Sequence, residues 1–259
     1  MRTIPPDNYE VFYKHAWLQT RNPPPIDKWM VKSGCETVAR IYHEFGCASI
    51  LEAASGLGLK ALMFRHLDFE VVGTDICTEA VSYSRELAQK VDLDVEFQAI
   101  SWAEIPIHFV NEFDAVYIDQ SQNVRSRDGL VEAARAAHSA LKPGGVYIFA
   151  SREEGNTEWN AAELVEEAWE EKKTPRIWWT VQTDEGPVTT IEMCERFDEG
   201  IYHHFLHLHN NKKLEQSGWL ENFRWPYEEC KLILSEVGFS SVIEKKMPGR
   251  TRIACIGVK

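Results

Sequence analysis

The 259-residue chain has six cysteines (Cys35, Cys47, Cys77, Cys194, Cys230 and Cys255), no two of them in a CxxC pair. That scatter argues against a zinc ribbon or a disulfide framework. It fits free thiols in a reducing, cytoplasmic compartment. There is no run of 18 apolar residues, so no membrane span is expected. The opening Met1-Arg2-Thr3-Ile4-Pro5-Pro6 lacks the apolar centre of a secretory signal. Basic clusters are also missing. With 28 Lys and Arg against 40 Asp and Glu, the formal net charge is −12, which argues against nucleic acid as a partner. No internal repeat or low-complexity tract interrupts the chain. What remains, 44% hydrophobic and 26% charged residues, is an ordinary globular composition. The length suits one large α/β domain with an insertion, or two small domains.

Apolar, β-branched runs at 48–53, 69–74, 95–99, 113–118 and 146–150 read as strands. Between them, segments at 58–67, 77–91 and 128–141 have helical spacing, and 27–45 reads as a helix leading to Gly46. Lys142-Pro143-Gly144-Gly145 supplies stop and turn chemistry after the third of these helices. Beyond residue 175 the pattern changes to strands at 177–182, 188–196, 201–209 and 214–220. The breaks are Asp184-Glu185-Gly186, Asp198-Glu199-Gly200 and Asn210-Asn211, all hairpin signals. A helix at 226–237, closed by Gly238, and strands at 240–246 and 251–258 end the chain.

The expected fold is therefore α/β. A doubly wound, seven-stranded, mostly parallel Rossmann-like sheet carries an inserted antiparallel β-meander. The expected division is an N-terminal helical or lid segment at 1–45, an α/β core at 46–175, the meander at 176–222, and the last helix and two strands at 223–259.

One stretch stands out chemically. Ser49-Ile50-Leu51-Glu52-Ala53-Ala54-Ser55-Gly56-Leu57-Gly58 is an apolar run ending in an acid, then a small-residue turn. One crossover later, Val71-Val72-Gly73-Thr74-Asp75 ends in a second acid. Glycines let backbone approach a ligand, and an acid at the second strand end takes ribose hydroxyls, so a nucleotide-type cofactor is implied. The alternatives are a plain strand-to-helix turn for Gly56 and Gly58 and a helix N-cap for Asp75. Gly56 to Ala61 also formally matches the dinucleotide pattern, which keeps an NAD(P)-binding oxidoreductase open.

Further along stand Ser101-Trp102, Phe113-Asp114-Ala115-Val116 and Leu141-Lys142-Pro143-Gly144-Gly145. With Glu52 before the turn, these segments resemble, in order and spacing, the class I S-adenosylmethionine-dependent methyltransferases. The likeness is nearest to the glycine N-methyltransferase-like group of small-molecule enzymes, with Ala150-Ser151-Arg152 after strand five.

The resemblance implies S-adenosylmethionine as cofactor and S-adenosylhomocysteine as product. It implies that Ala54, Gly56 and Gly58 pass close to the methionine part and that Glu52 orients that turn or meets the amino group. Asp75 would bind the ribose diol with Ile76 against adenine. Ser101 and Trp102 would hold the base, and Ile118, at the end of strand four, would also bind the cofactor. Arg152 would anchor a substrate carboxylate, with Asp119 and Gln120 at the mouth of strand four; alternatively, Arg152 pairs with Glu153 and Glu154 at the surface. Glu52 in place of Asp, and Glu153-Glu154 after Arg152, depart from the group and put glycine itself in question as substrate. The expected reaction is methyl transfer to a small molecule, at an amine nitrogen of an amino-acid-like or carboxylated substrate. O-methylation of a small metabolite is the alternative, and a cofactor-binding protein without catalysis is a third reading.

On a strand, His203, His207 and His209 share one face and His204 points the other way. They read as a polar sheet face, with no metal expected. His204 or His207 is the candidate for a base. Tyr9, Tyr13 and Trp17 either form a lid over the sulfonium or pack on a domain edge.

Overall fold

The computed structural model describes residues 3–20, 34–118, 124–153, 160–222, 225–247 and 252–259, with backbone alone at 20, 150–153 and 252. In chain order the elements are α1 (Tyr9–Thr20), α2 (Cys35–Glu44), β1 (Ser49–Ala53), α3 (Leu59–His66), β2 (Glu70–Asp75), α4 (Thr78–Lys90), β3 (Glu96–Ala99), α5 (Ile105–His108), β4 (Phe113–Tyr117), α6 (Arg127–Ala140) and β5 (Leu141–Glu153). There follow α7 (Ala161–Lys172), β6 (Arg176–Thr183), β7 (Gly186–Phe197), β8 (Gly200–His209), β9 (Lys212–Asn222), α8 (Tyr227–Val237), β10 (Ser241–Lys246) and β11 (Arg252–Val258). The chain divides into two compact units, Met1–Asn22 with Asn160–Trp225, and Pro23–Trp159 with Pro226–Lys259. No helix among the described residues is long and apolar enough to cross a membrane.

The larger unit is built on a seven-stranded sheet in the order β10-β11-β5-β4-β1-β2-β3. Its first five strands in sequence pair in parallel, and β11 runs antiparallel to both β5 and β10. This is the mostly parallel, doubly wound sheet expected from the alternating pattern. All five residues of β1 are buried, as a strand covered on both faces requires. The order reverses between β1 and β4. Ligands of open α/β sheets sit there, beyond the carboxyl ends of the strands.

Helix α6 shows how the sequence settles an element. Ser126 caps it by accepting the Gly129 N–H at 3.1 Å, and an alanine-rich face (Ala133, Ala134, Ala136, Ala137, Ala140) lies buried. Strand β5 starts earlier than expected, at Leu141, because Phe113 pairs with Leu141 and Ala115 with Val146, so the Pro143-Gly144-Gly145 segment bulges between them. That bulge is tied to the last residue: Gly144 N–H donates to the Lys259 carbonyl at 2.8 Å, and Lys259 N–H to the Gly145 carbonyl at 2.9 Å.

Asp114 performs a similar service at the amino ends of the strands. Its Oδ2 accepts the Ala48 N–H (3.0 Å), the Ser49 N–H (2.9 Å) and the Ser49 hydroxyl (2.9 Å), while Lys142 Nζ donates to Oδ1 at 2.9 Å.

The smaller unit is the expected meander, an antiparallel sheet in the order β6-β7-β8-β9. Asn210 (φ 48°) and Asn211 (φ 63°) between β8 and β9 are both left-handed, the geometry of a type I′ hairpin turn that asparagine tolerates. Helix α1 belongs here. Phe12 packs on Trp219 (centroids 4.4 Å apart) and Phe205 (5.2 Å), and Tyr9 stacks on Trp219 at 5.8 Å. The segment before it is stitched to the same sheet by Asn8 N–H to the Gly218 carbonyl, the Tyr202 hydroxyl to the Pro6 carbonyl, and Leu220 N–H to Asp7 Oδ1.

The sequence reading grouped residues 1–45 together, whereas in the structure α1 lies with the meander sheet and α2 with the seven-stranded sheet. Residues 27–33 of the expected 27–45 helix lie outside the described residues, and the helix is seen from Cys35. Helix α7 was not anticipated from sequence. It packs against β7 and β8, and its buried face is reduced to Val165, which leaves almost no apolar period to read. Asn160 caps it, accepting the Ala162 N–H at 3.2 Å.

Candidate functional site

The site is built from the turn after β1 and the strand end of β2. Ala54 (φ 55°), Gly56 (φ 55°) and Gly58 (φ 69°) all take left-handed backbone, so the chain doubles back sharply between β1 and α3. Two bonds close the turn: Gly58 N–H to the Ser55 carbonyl, and Ser55 N–H to the Thr74 carbonyl, both 2.9 Å.

Asp75 then joins the turn to the next one. Its Oδ2 accepts the Gly56 N–H and its Oδ1 the Cys77 N–H, each at 2.8 Å. Burial pushes its carboxyl pKa up, and the backbone donors from Cys77 and Gly56 oppose that. Each carboxylate oxygen has a second lone-pair direction, so the group can hold the loop and still accept from a ligand diol. Asp75 thus ties the two turns together and is the candidate ribose residue, while the N-cap of α4 is Cys77. Directly after it, Ile76 is 76% exposed, an apolar face held in solvent beside that carboxylate.

Two residues that sequence reasoning passed over, Phe97 and Ser84, give the loop its shape. Phe97 on β3 pairs with Gly73 on β2, and its ring lies where a Cβ at either Gly73 (2.5 Å) or Gly58 (2.5 Å) would stand. The ring therefore fills the space that both glycines leave open. Ser84 of α4 is fully buried, with its hydroxyl 3.0 Å from the Gly56 carbonyl and 2.9 Å from that of Ala80. Gly73, a glycine inside a strand, was the available signal of close approach.

Glu52 lies buried at the end of β1, next to Tyr117 at the end of β4, its cross-strand partner. Ile118 is buried just beyond Tyr117. The Ser101 N–H (2.9 Å) and hydroxyl (2.6 Å) both donate to Glu104 Oε2, and these bonds lower the Glu104 pKa. The Ser101 hydroxyl is thereby engaged by Glu104, and Trp102 beside it is half-buried. Asp119 and Gln120 lie outside the described residues. Arg152 is seen as backbone only, paired with Ile253 between β5 and β11.

The turn and its surroundings fit a nucleotide-type cofactor. A buried Ser55 hydroxyl has no hydrogen-bond partner among the described residues, and Asp75 and Ile76 present a diol acceptor and an apolar face.

In the smaller unit, the candidate bases are differently placed. His207 is fully buried, with Thr190 Oγ1 at 2.8 Å from Nδ1 and Ser217 Oγ at 2.9 Å from Nε2, and it stacks on His15 with centroids 4.0 Å apart. Burial and the neighbouring His15 depress its pKa to about 3, so it is a neutral ring with both nitrogens engaged. His204 lies on the opposite face, with Glu195 Oε2 at 3.2 Å from Nε2 and Gln216 Nε2 at 3.2 Å from Nδ1.

His203 is buried between carboxylates, Glu192 at 2.7 Å and Glu221 at 3.0 Å. Burial alone would depress it, but hydrogen bonds with Cys194, Glu192 and Glu221 raise its pKa to about 10. Arg176 pairs with Glu192 and Lys172 with Glu221, so the cluster of Glu192, Cys194 and His203 sits in an ion-pair network of three cations and two carboxylates. Tyr9 and Tyr13 stack on each other at 6.3 Å, and Tyr9 on Trp219, so within this unit the N-terminal aromatics pack on the sheet.

Comparison with known proteins gives a family match over part of the chain and a shared fold over the whole of it. Residues 50–145 match the family described as "Methyltransferase domain". Over essentially the whole chain the fold is similar to three solved structures. The S-adenosylmethionine-dependent methyltransferase from Clostridium acetobutylicum ATCC 824 has TM-score 0.62 and 15% identity, covering 97% of this chain and 99% of that one. The sugar N-methyltransferase KedS8 from Streptoalloteichus sp ATCC 53650 has TM-score 0.63 and 16% identity, covering 100% and 96%. The amino pentose methyltransferase CalS10 from Micromonospora echinaspora has TM-score 0.58 and 16% identity, covering 99% of each. No curated protein matches in sequence. The matched stretch carries β1, the glycine turn, Asp75 and the strands on either side of the switch point.

Proposed function

We propose that this protein is an S-adenosylmethionine-dependent methyltransferase that methylates a small molecule at an amine nitrogen, with an amino-acid-like or carboxylated substrate. The observation that carries the reading is Asp75. It braces Gly56 and Cys77 at 2.8 Å each, at the carboxyl end of β2, beside the exposed Ile76. That arrangement is complementary to a ribose diol with an adenine beside it. The methyltransferase match over residues 50–145 turns the choice from a dinucleotide toward the sulfonium cofactor. A protein of the same fold described as a sugar N-methyltransferase supports nitrogen as the acceptor.

When bound, the sulfonium cofactor supplies an activated methyl group. The protein's own share is alignment and exclusion of water. Asp75 accepts the ribose hydroxyls while it keeps the Gly56 and Cys77 turns in register. Ile76 covers one face of the base, and the 54–58 turn lets backbone lie against the methionyl chain. Arg152 anchors the substrate carboxylate by its planar fork, with Asp119 and Gln120 directing the amine. A neutral amine carries its own lone pair and needs no base in the transfer step. That agrees with a His207 whose two nitrogens are already engaged.

The test is calorimetric titration with S-adenosylmethionine, S-adenosylhomocysteine, NAD and NADP, repeated with Asp75→Ala. The two sulfur compounds bind the wild type and lose binding in the variant. A mass-spectrometric panel of carboxylated amines against phenols and alcohols then shows a gain of one methyl on nitrogen. NAD or NADP binding in place of the sulfur compounds overturns the cofactor assignment, and turnover on phenols alone overturns the acceptor.

A further inference from the structure

The cofactor's methionyl end is an α-amino acid, a zwitterion whose carboxylate must find a cation or backbone donors once it leaves water. On the proposed function, Glu52 is the candidate for the ammonium half. Lys60 lies in the first turn of α3, two positions after Gly58. The cap of that helix is Gly58, which has no side chain to satisfy the first N–H groups, and the first bond back is Leu62 N–H to the Gly58 carbonyl at 3.0 Å. The helix start therefore points the N–H groups of residues 59–61 and a positive dipole end toward the glycine turn.

Lys60 is also held in place. Its Nζ donates to the Tyr117 hydroxyl at 3.3 Å and lies 5.3 Å from the centre of the ring. The ring is fixed in turn by Phe64, edge-on at 5.4 Å. Lys60 and Phe64 are four apart on one face of α3, so a single helix both positions the phenol and sets the ammonium against it. Tyr117 ends β4 and is the cross-strand partner of Glu52 at the end of β1. A carboxylate and an ammonium thus belong to adjoining elements at the sheet's switch point, the arrangement a zwitterion requires.

We infer that Lys60, tethered by Tyr117, receives the α-carboxylate of the cofactor's methionyl group. The inference rests on the cofactor assignment above. An ammonium has three N–H donors, so one can stay on the phenol while others meet a carboxylate. Tethering matters because a lysine confined before binding loses less rotamer freedom on binding.

The experiment pairs a side-chain change with a ligand change, read by calorimetry and independent of turnover. Lys60→Met, Lys60→Arg and Tyr117→Phe are each titrated with S-adenosylhomocysteine and with 5′-methylthioadenosine, which keeps the ribose and adenine but has no methionyl carboxylate. Loss of a charge-assisted contact predicts that Lys60→Met weakens S-adenosylhomocysteine roughly 10- to 100-fold. The same variant leaves 5′-methylthioadenosine within about two-fold of wild type. Lys60→Arg recovers part of the loss, and Tyr117→Phe, which keeps the ring against Phe64, shows a smaller one. An equal loss for both ligands means that the loop has been disturbed and overturns the assignment, as does no loss for either. A wild-type protein that binds neither ligand overturns the cofactor reading itself, a result distinct from both.

Discussion

Gly58→Ala is the most informative single change in the glycine turn, because two separable costs meet there. The first is backbone strain. Gly58 has φ 69°, and a side chain in left-handed backbone costs about 1–2 kcal/mol. The second is steric. An added Cβ would stand 2.5 Å from Phe97 Cζ and 2.6 Å from Cε1. The ring cannot retreat toward β2, since a Cβ at Gly73 would likewise meet it at 2.5 Å, and the residue is only 2% exposed. Overpacking of this kind costs about 1–3 kcal/mol. The sum is about 2–5 kcal/mol, a large part of the roughly 5–15 kcal/mol that holds a domain together.

Gly73→Ala isolates the steric part, because Gly73 is not in left-handed backbone. Urea unfolding of Gly58→Ala, Gly73→Ala and Phe97→Leu, with the two double variants, forms two mutant cycles. In the Phe97→Leu background the cost of Gly73→Ala should largely vanish, while Gly58→Ala should keep about 1–2 kcal/mol from its backbone. Coupling energies within about 0.5 kcal/mol of zero in both cycles would refute the claim that Phe97 shapes the turn.

Three further outcomes follow from other parts of the molecule. Asp75→Asn should keep more of the fold than Asp75→Ala, since its amide oxygen can still accept one backbone N–H; circular dichroism melts beside cofactor titration separate the two effects. Asp114 has its pKa lowered to about 2: burial works against the charge, but Lys142, Ala48 and Ser49 outweigh it. Its contribution to stability is complete above the unfolded carboxylate value near 4 and is lost as pH falls through about 2, so Asp114→Asn should flatten that acid limb in urea titrations. For His207 the direction is that of a depressed histidine. The unfolded ring takes a proton near pH 6.5 and the folded ring only near 3, so stability falls as pH drops between those values, by at most about 1.4 kcal/mol per pH unit. His207→Gln should remove that slope, and an unchanged slope would show that the ring is not buried neutral.

The strands, the helices of the doubly wound sheet and the four meander strands were readable because burial on both faces, or on alternate faces, writes itself into the spacing of apolar residues. The turns were readable because Asp-Glu-Gly and Asn-Asn carry their own backbone preference. The glycine turn was readable because left-handed backbone, seen at Gly56 and Gly58, leaves few residue choices. Tertiary structure alone decided the rest. Phe97 looks like any buried strand residue until β3 lies beside Gly73. Lys60 looks like a helix surface residue until Tyr117 comes under it from a strand more than fifty positions away. Helix α7 has too little apolar surface to announce itself and depends on β7 and β8 for its place. His207 was a plausible base in sequence, and only the cross-strand neighbours Thr190 and Ser217 show both its nitrogens engaged. Local sequence specifies what a segment prefers by itself. Which distant side chains share its space depends on sheet order and register, and these are set only when the strands assemble.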